Sequence, residues 1–194
     1  CGFVGRNFVK RLYSTTQDTL LVIDDLSVGT HPTQWLDPSI AKHKEGNVEY
    51  FGDDKRIIFI NEDIRSILNG LVEREDYLSE HFALDIDHFT DVFHFAAIVG
   101  GRATIDGDPM KVALDLAIDA LFFRWICLHK PSRVLYPSSS AAYPVDLQTE
   151  SDAIALSESD IDFKKMGQPD MTYGWTKLTG EYLASIAASH YGVS

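Results

Sequence analysis

A tyrosine and a lysine one helical turn apart are the residues of this chain best suited to proton transfer. Tyr173 and Lys177 enclose the segment Tyr-Gly-Trp-Thr-Lys, and an i, i+4 spacing places both on one face of a helix. Because a nearby ammonium group favours phenolate over phenol, we expect Lys177 to lower the pKa of Tyr173 and make it a usable general base. Taken alone, the pair also fits an ordinary amphipathic helix face.

Three consecutive serines offer the hydroxyl groups that such a base needs beside it. Ser138, Ser139 and Ser140 follow an apolar run that begins at Arg133. Serines at the carboxyl end of a parallel strand lie where α/β proteins bind their ligands. A hydroxyl there can donate to a substrate oxygen while the tyrosine takes its proton, although a serine-rich turn is the simpler alternative.

A glycine turn and an acid at the required distance indicate a dinucleotide site. Gly2-Phe3-Val4-Gly5 opens a helix, and Asp24 follows Gly5 by 19 residues at the end of the next apolar run. Glycines let backbone N–H groups approach a pyrophosphate at a helix N-terminus, and the acid accepts from the ribose hydroxyls. Asp24 and Asp25 would repel a ribose 2′-phosphate, so NAD is favoured over NADP. A glycine turn with a solvated aspartate is the alternative.

The elements that must position these residues alternate between strand and helix. We predict strands at 19–23, 56–60, 91–97 and 133–138, and helices at 2–13, 64–82, 109–130 and 172–191. Long loops are expected at 29–56 and 144–170, and a polar linker at 85–88. The strands are apolar runs rather than alternating patterns, which is typical of an α/β fold with a parallel sheet covered on both faces.

Composition excludes several classes of function. The net charge is -12, with 29 acids against 17 bases, so a nucleic-acid or anionic-membrane partner is disfavoured. No apolar run is long enough to span a membrane. The two cysteines form no disulfide framework, and we expect a cytoplasmic protein. No histidine pattern indicates a metal, and we expect His94 to be a hydrogen-bonded core residue.

Taken in order, the glycine turn, the acid, the serines and Tyr-x-x-x-Lys resemble the short-chain dehydrogenase/reductase superfamily, and within it the extended branch of nucleotide-sugar epimerases and dehydratases. The resemblance implies a Rossmann-type doubly wound parallel sheet, with residues 1–194 as the NAD-binding domain. We expect the first strand of that sheet to precede Cys1 and a substrate lobe to follow Ser194.

The resemblance also implies roles for particular residues. It makes Ser139, Tyr173 and Lys177 catalytic. The implied cofactor-binding residues are Gly2, Phe3, Val4, Gly5, Asp24, Asp25, Leu26, Ser27, Gly29, Asp63, Ile64, Phe95, Ala96, Ala97, Asp115, Ser138, Tyr173 and Lys177. The implied substrate-binding residues are Val99, Gly100, Ser139, Ser140 and Tyr173. Asp115 stands where the family usually has an asparagine.

The serine motif narrows the reaction that the resemblance implies. In the resembling families, 4,6-dehydratases carry Asp-Glu where this chain has Ser140-Ala141. Uronate decarboxylases have glutamate at the position of Ala141, and GDP-sugar 3,5-epimerases and fucose synthases have cysteine there. The resemblance therefore implies epimerisation at C4 of a nucleotide-diphosphate sugar. Val99-Gly100-Gly101 resembles the fucose synthases, so a GDP-keto-sugar epimerase/reductase stays an alternative, as does a dehydratase. A non-catalytic NAD-binding scaffold is a third, against which the intact catalytic residues count.

The helices predicted at 109–130 and 172–191 carry more apolar surface than one covered face requires. In the resembling family these helices pair with their copies in a four-helix interface, which implies a homodimer. The alternative is that the lobe expected after Ser194, or the loop at 29–56, covers them within one chain.

Replacing the proposed ribose acceptor tests the cofactor assignment. We expect Asp24→Ala in the full-length protein to weaken NAD binding and to reduce the preference over NADP, because the carboxylate both accepts from the ribose and repels phosphate. Calorimetric titration with each cofactor measures both effects. Unchanged NAD affinity would contradict a ribose role for Asp24.

Overall fold

The computed structural model of the protein describes residues 1–98, 100–148 and 155–194. They form two compact units, Cys1–Asp87 and His88–Ser194. The predicted polar linker at 85–88 contains the boundary between them. Val99 and the part of the predicted 144–170 loop at 149–154 lie outside the described residues.

The first unit contains a four-stranded sheet with three helices. Its elements are α1 (Phe3–Thr15), β1 (Leu20–Ile23), β2 (Lys42–Glu45), β3 (Val48–Phe51), β4 (Ile57–Ile60), α2 (Ile64–Glu73) and α3 (Tyr77–Phe82). The strand order is β1-β4-β3-β2, with β1 parallel to β4 and the other pairs antiparallel. All four residues of β4 are buried, and since successive side chains alternate between faces, both faces of this strand are covered. The apolar runs thus predicted the two parallel strands.

The prediction of a long loop at 29–56 was wrong, and the predicted parallel sheet also contains antiparallel strands. The segment holds a short 3-10 turn at Pro32–Gln34 and the hairpin β2–β3. The four residues of β2 are all exposed and charged or polar. This edge strand therefore lacks the alternation of apolar and polar residues that would predict a strand. Its signal was the pair Gly46-Asn47, a two-residue hairpin turn with Gly46 at φ 59.

The described residues of the second unit form the second sheet and four α-helices. Its elements are β5 (Asp91–Phe93), α4 (Arg102–Gly107), α5 (Pro109–Val112), α6 (Asp115–His129), β6 (Arg133–Leu135) and α7 (Met171–Tyr191). Strands β5 and β6 pair in parallel, and His94 N–H extends the ladder by donating to Leu135 O at 3.0 Å. Both strands are shorter than the predicted 91–97 and 133–138. The residues that follow each strand, which include the predicted site residues, are not part of the sheet.

Several predicted helices have different bounds. The segment 64–82 forms two helices, α2 and α3, and the ring of Tyr77 at the start of α3 occupies the space that a Cβ would need at Gly70. The segment 109–130 is interrupted at 113–114, and α4 was not predicted. The last helix, predicted at 172–191, is confirmed as α7. Within the described ranges no helix has both the length and the hydropathy to cross a membrane.

Helix α7 can approach the end of β6 only because Gly180 has no side chain. A Cβ at Gly180 would overlap the hydroxyl oxygen of Tyr136. We therefore expect Gly180→Ala to destabilise the protein by about 1–3 kcal/mol, as overpacking does in other cores. Gly107→Ala is the matched control, because no atom lies within 4 Å of a Cβ there. Denaturant unfolding of the full-length protein measures both, and equal midpoints would contradict this packing.

Candidate active site

The structure brings Ser139 and Tyr173 together in the second unit. The side chain of Ser139 lies close enough to Tyr173 to lower the pKa of the tyrosine hydroxyl, and Ser139 Oγ accepts from Ala141 N–H at 3.3 Å. The two segments are joined by main chain as well, because Asp170 N–H donates to Ala141 O at 2.9 Å just before α7 begins. The hydroxyls of Ser139 and Tyr173 can therefore contact one common oxygen atom of a substrate.

Gly174 makes this approach possible, and sequence analysis did not single it out. A Cβ at Gly174 would overlap the carbonyl oxygen of Ala141. Any larger residue would push the start of α7 away from the serine segment. The signal was the glycine directly after Tyr173, inside a helix, where glycine has no favourable propensity and therefore indicates a close contact.

Lys177 lies on the same face of α7, and its ammonium group is buried. The residue is 5% exposed, and Nζ donates to Pro137 O at 3.2 Å. The ammonium also lies 4.8 Å from the ring centroid of Tyr136 and 6.0 Å from that of Tyr173, within the range of cation–π attraction. The predicted placement of Tyr173 and Lys177 on one face is confirmed.

The expected lowering of the pKa of Tyr173 is not found in this structure. Burial raises that pKa above its ordinary value, the nearby Ser139 side chain lowers it, and the charges of Asp115 and Asp119 raise it further. The Lys177 ammonium lies 6.0 Å from the centroid of the Tyr173 ring. The effect of burial on the Tyr173 pKa therefore outweighs the lowering expected from the ammonium charge. Sequence spacing showed the cation but neither the burial nor the two acids.

A closed network of polar side chains lies beneath the site. Asp119 accepts from Tyr136 Oη at 2.7 Å through one oxygen, and its other oxygen lies 3.1 Å from His94 Nε2. His94 is 6% exposed and stacks on the ring of Phe122 at 4.0 Å. The prediction that His94 is a hydrogen-bonded core residue is confirmed. Burial and the neighbouring Asp119 both raise the pKa of Tyr136.

Asp115 is the second buried acid of α6 and is only half paired. It is 2% exposed, and Oδ1 accepts from Ile98 N–H at 2.6 Å. Oδ2 is buried without a hydrogen-bond partner among the described residues. Burial raises the pKa of Asp115 to about 6, against the lowering effects of the Ile98 bond and of Lys177. The sequence marked Asp115 as a cofactor contact, and a direct contact with NAD stays a prediction.

The remaining predicted site residues of this unit differ in how exposed they are and in their hydrogen-bond partners. Ser138 Oγ donates to Glu181 on α7, a partner that sequence analysis did not name. Phe95, Ala96 and Ala97 are half-buried after β5, and Ser140 and Gly100 are exposed. Their proposed contacts with cofactor or substrate stay predictions, as does that of Val99, which lies outside the described residues.

In the first unit, the glycine turn and the acid after β1 are neighbours. Asp24 Oδ2 lies 2.8 Å from the amino nitrogen of Cys1, and Oδ1 accepts from Leu26 N–H at 2.8 Å. Gly29 approaches so closely that a Cβ would lie 2.9 Å from both Asp24 and Cys1. Gly29 therefore has a packing role in holding the loop against the turn.

The amino end of α1 fits an anion. Its cap, Gly2, has open space where a Cβ would be, and no described side chain caps the first turn. Helix N-termini with free N–H groups of this kind bind phosphates. Phe3 and Val4 are exposed beside it, and Gly5 is half-buried. These features fit the diphosphate of NAD, with Asp24 as a ribose acceptor.

The other predicted residues of this unit already have local partners. Asp25 accepts from Ser27 N–H at 2.9 Å, and Leu26 has φ 59 in the turn between them. Asp63 caps α2, and hydrogen bonds from the Arg65 side chain lower its pKa. Both oxygens of Asp63 already accept from Arg65, and the cofactor contacts implied for Asp63 and Ile64 stay predictions. Among the described residues no cluster of three His, Cys, Asp or Glu could hold a metal ion.

Solved structures that match this chain include nucleotide-sugar enzymes. A UDP-glucose 4-epimerase from Thermotoga maritima, crystallised with UDP-glucose, matches at a TM-score of 0.66 and 18% identity. A Brucella ovis UDP-glucose 4-epimerase in complex with NAD matches at 0.61 and 24%, and a double mutant of a Streptomyces venezuelae dTDP-glucose 4,6-dehydratase with NAD at 0.66 and 19%. The matches cover 99% of this chain and 50%, 46% and 50% of those chains respectively, so it spans about half their length.

These likenesses establish a Rossmann-like α/β fold, which confirms the predicted fold class. No curated protein sequence matches the chain. The sequence profile of one family matches residues 1–194. This match covers the whole chain, and it agrees with the Tyr-x-x-x-Lys helix and the glycine turn. The chain therefore belongs to the NAD dependent epimerase/dehydratase family.

Proposed function

We propose that the protein is an NAD-dependent nucleotide-sugar epimerase that acts at C4 through a transient keto sugar, in the reducing cytoplasm that its two free cysteines suggest. The observation that carries the proposal is the packing of the start of α7 on the serine segment, through the Asp170–Ala141 hydrogen bond and the close approach of Gly174. This packing brings Tyr173 to Ser139, with the ammonium of the buried Lys177 6.0 Å from the tyrosine ring centroid. This is an acid–base pair with a fixed cation, suited to removing and restoring one hydroxyl proton.

The chain's own residues would perform the proton transfer. Tyr173 Oη would take the proton of the sugar hydroxyl, and Ser139 Oγ would donate to the same sugar oxygen as it becomes a carbonyl. NAD would supply the hydride acceptor and donor at that carbon. After the keto sugar has turned, Tyr173 would return its proton to the oxygen, so no net oxidation occurs. The Lys177 ammonium would stabilise the negative charge that develops on Tyr173 and on the sugar oxygen as the proton moves between them.

Residues next to Ser139 support epimerisation over the related reactions. Water elimination or inversion at a carbon next to a ketone needs a second acid or base close to the substrate. Ser140 and Ala141 stand in a short 3-10 turn after Ser139, and neither side chain can exchange a proton near neutral pH. A reaction that needs only one acid–base group, such as epimerisation at the carbon that carries the hydroxyl, suits this site.

Removing the tyrosine hydroxyl tests the mechanism. We expect Tyr173→Phe to retain the fold and NAD binding, since the ring stays in place, but to lower turnover about 10²–10⁴-fold through loss of the base. The assay follows interconversion of nucleotide-diphosphate sugars by the full-length protein, beginning with UDP-glucose. Tyr191→Phe is the matched control, because Tyr191 is 45% exposed on the same helix. Wild-type turnover by the Tyr173→Phe protein would overturn the mechanism.

We also propose that the protein assembles as a homodimer through α6 and α7. The two helices pack on each other within the second unit, yet large apolar side chains stay exposed on both. On α6 these are Leu116 (41%) and Leu128 (44%), and on α7 Trp175 (43%) and Tyr182 (48%). A second copy related by a twofold axis would cover such a surface with the same surface of its own.

A buried charge should separate the proposed dimer. We expect Leu116→Glu to convert the full-length protein to a monomer at micromolar concentration, because an unpaired carboxylate is costly in an apolar interface. Val145→Glu is the control, with a similarly exposed side chain (43%) outside both helices. Light scattering gives the masses. A monomeric wild-type protein would contradict the proposal.

A further inference from the structure

The ammonium group of Lys177 has few partners for a charge that is so deeply buried. The residue is 5% exposed, and no carboxylate of the described residues forms an ion pair with it. Its Nζ donates to Pro137 O at 3.2 Å and lies 4.8 Å from the ring centroid of Tyr136, against 6.0 Å for Tyr173. Because one hydrogen bond does not replace the water that an ammonium loses on burial, the closer ring face must supply part of the stabilisation.

The ring of Tyr136 is held in place by groups around it. Its hydroxyl donates to Asp119 Oδ2 at 2.7 Å, and the ring of Phe123 packs against it with 5.3 Å between centroids. On the side of α7, Gly180 lies so close that a Cβ there would overlap the tyrosine hydroxyl. Helix α7 therefore contacts this ring at Lys177 and again at Gly180, one turn later.

We propose that Tyr136 is a positioning residue whose ring holds the Lys177 ammonium beside Tyr173 and whose hydrogen bond to Asp119 fixes the orientation of that ring. The inference rests on the proposed function for the role of Lys177 in proton transfer. It does not require that Tyr136 touch substrate or cofactor, since its influence passes through the position of the ammonium group.

The hydrogen bond to Asp119 also decides which of the two tyrosines near Lys177 can act as the base. If Tyr136 lost its proton, two negatively charged oxygens would lie 2.7 Å apart, which strongly disfavours ionisation. Tyr136 therefore stays protonated and presents a neutral π face to the ammonium, although its ring is the closer of the two. Proton transfer is left to Tyr173.

The position of the ammonium can be measured directly in the full-length protein. Protons that lie over an aromatic ring resonate upfield, so the ε-methylene signal of Lys177 should differ from those of exposed lysines in ¹³C-lysine-labelled protein. Lys177→Met identifies the signal by its absence. We expect the upfield shift to be lost in Tyr136→Leu, which removes the ring, and to be kept in Tyr136→Phe, which removes only the hydroxyl.

Turnover should follow the ring. In the nucleotide-sugar assay we expect Tyr136→Leu to lower kcat about tenfold to thirtyfold, the factor that corresponds to one desolvated cation–π contact. Tyr136→Phe should lower kcat by about threefold or less, and KM should change less than about twofold in both. Tyr50→Leu is the matched control, because it removes a lysine–tyrosine contact of the same kind, with Lys55 Nζ 5.3 Å from the ring centroid, in the first unit. It should leave the Lys177 signal and kcat unchanged.

Several results would overturn the proposal. One is a Lys177 signal that keeps its wild-type position in folded Tyr136→Leu protein, and another is a displaced signal with unchanged kcat. Equal losses of kcat in Tyr136→Leu and Tyr136→Phe would also overturn it, since they would assign the effect to the lost bond with Asp119 rather than to the ring. If the signal moves as expected but the wild-type protein turns over no nucleotide sugar, the proposed function fails and the placement of Lys177 by Tyr136 stands.

A measurement on wild-type protein covers the case in which Tyr136→Leu does not fold. We expect nuclear Overhauser contacts between the ε-methylene protons of Lys177 and the ring protons of Tyr136, because Nζ lies 4.8 Å from the ring centroid. The absence of these contacts, together with a Lys177 signal at the position of exposed lysines, would overturn the proposal without any variant at Tyr136.

Discussion

The arrangement of the second unit depends on one buried ammonium group. Lys177 is 5% exposed, and a charge at that depth is tolerated only where dipoles and counter-charges replace water. The structure supplies a carbonyl from Pro137, the π face of Tyr136 and the negative charge of Asp115. These groups come from the strand end and from α6, so placing one cation fixes both of them relative to α7.

The same requirement explains why an otherwise apolar helix carries two acids. Helix α6 buries Ile118, Phe122 and Ile126, yet Asp115 and Asp119 are buried with them. Asp119 holds Tyr136, whose ring lies over the ammonium, and that tyrosine in turn requires Gly180 on α7. Removing one partner of these polar contacts would leave the other buried and unpaired, which is more costly than the bond itself.

The sequence predicted those features of the site that depend on local spacing. Tyr173 and Lys177 share a face because residues four apart lie on the same side of a helix. Asp24 lies beside the glycine turn because β1, which follows α1, brings the chain back to the start of that helix. The hairpin at 42–51 was missed because β2 is an exposed edge strand of charged residues. The direction of the pKa shift of Tyr173 was predicted wrongly for a different reason. It depends on burial and on Asp115, which lies far earlier in the chain and which no local pattern connects to the tyrosine.

The charge of the whole chain makes these local arrangements necessary. With a net charge of -12, these 194 residues repel anions at long range. Attraction must then come from groups fixed at close range, where screening by salt and water is weakest. Under the proposed function, the uncapped amino end of α1 in one unit and the buried ammonium of Lys177 in the other would be such groups. Both are held by main chain and by packing rather than by mobile surface lysines, so their orientation exists before any ligand binds and costs no entropy at that step.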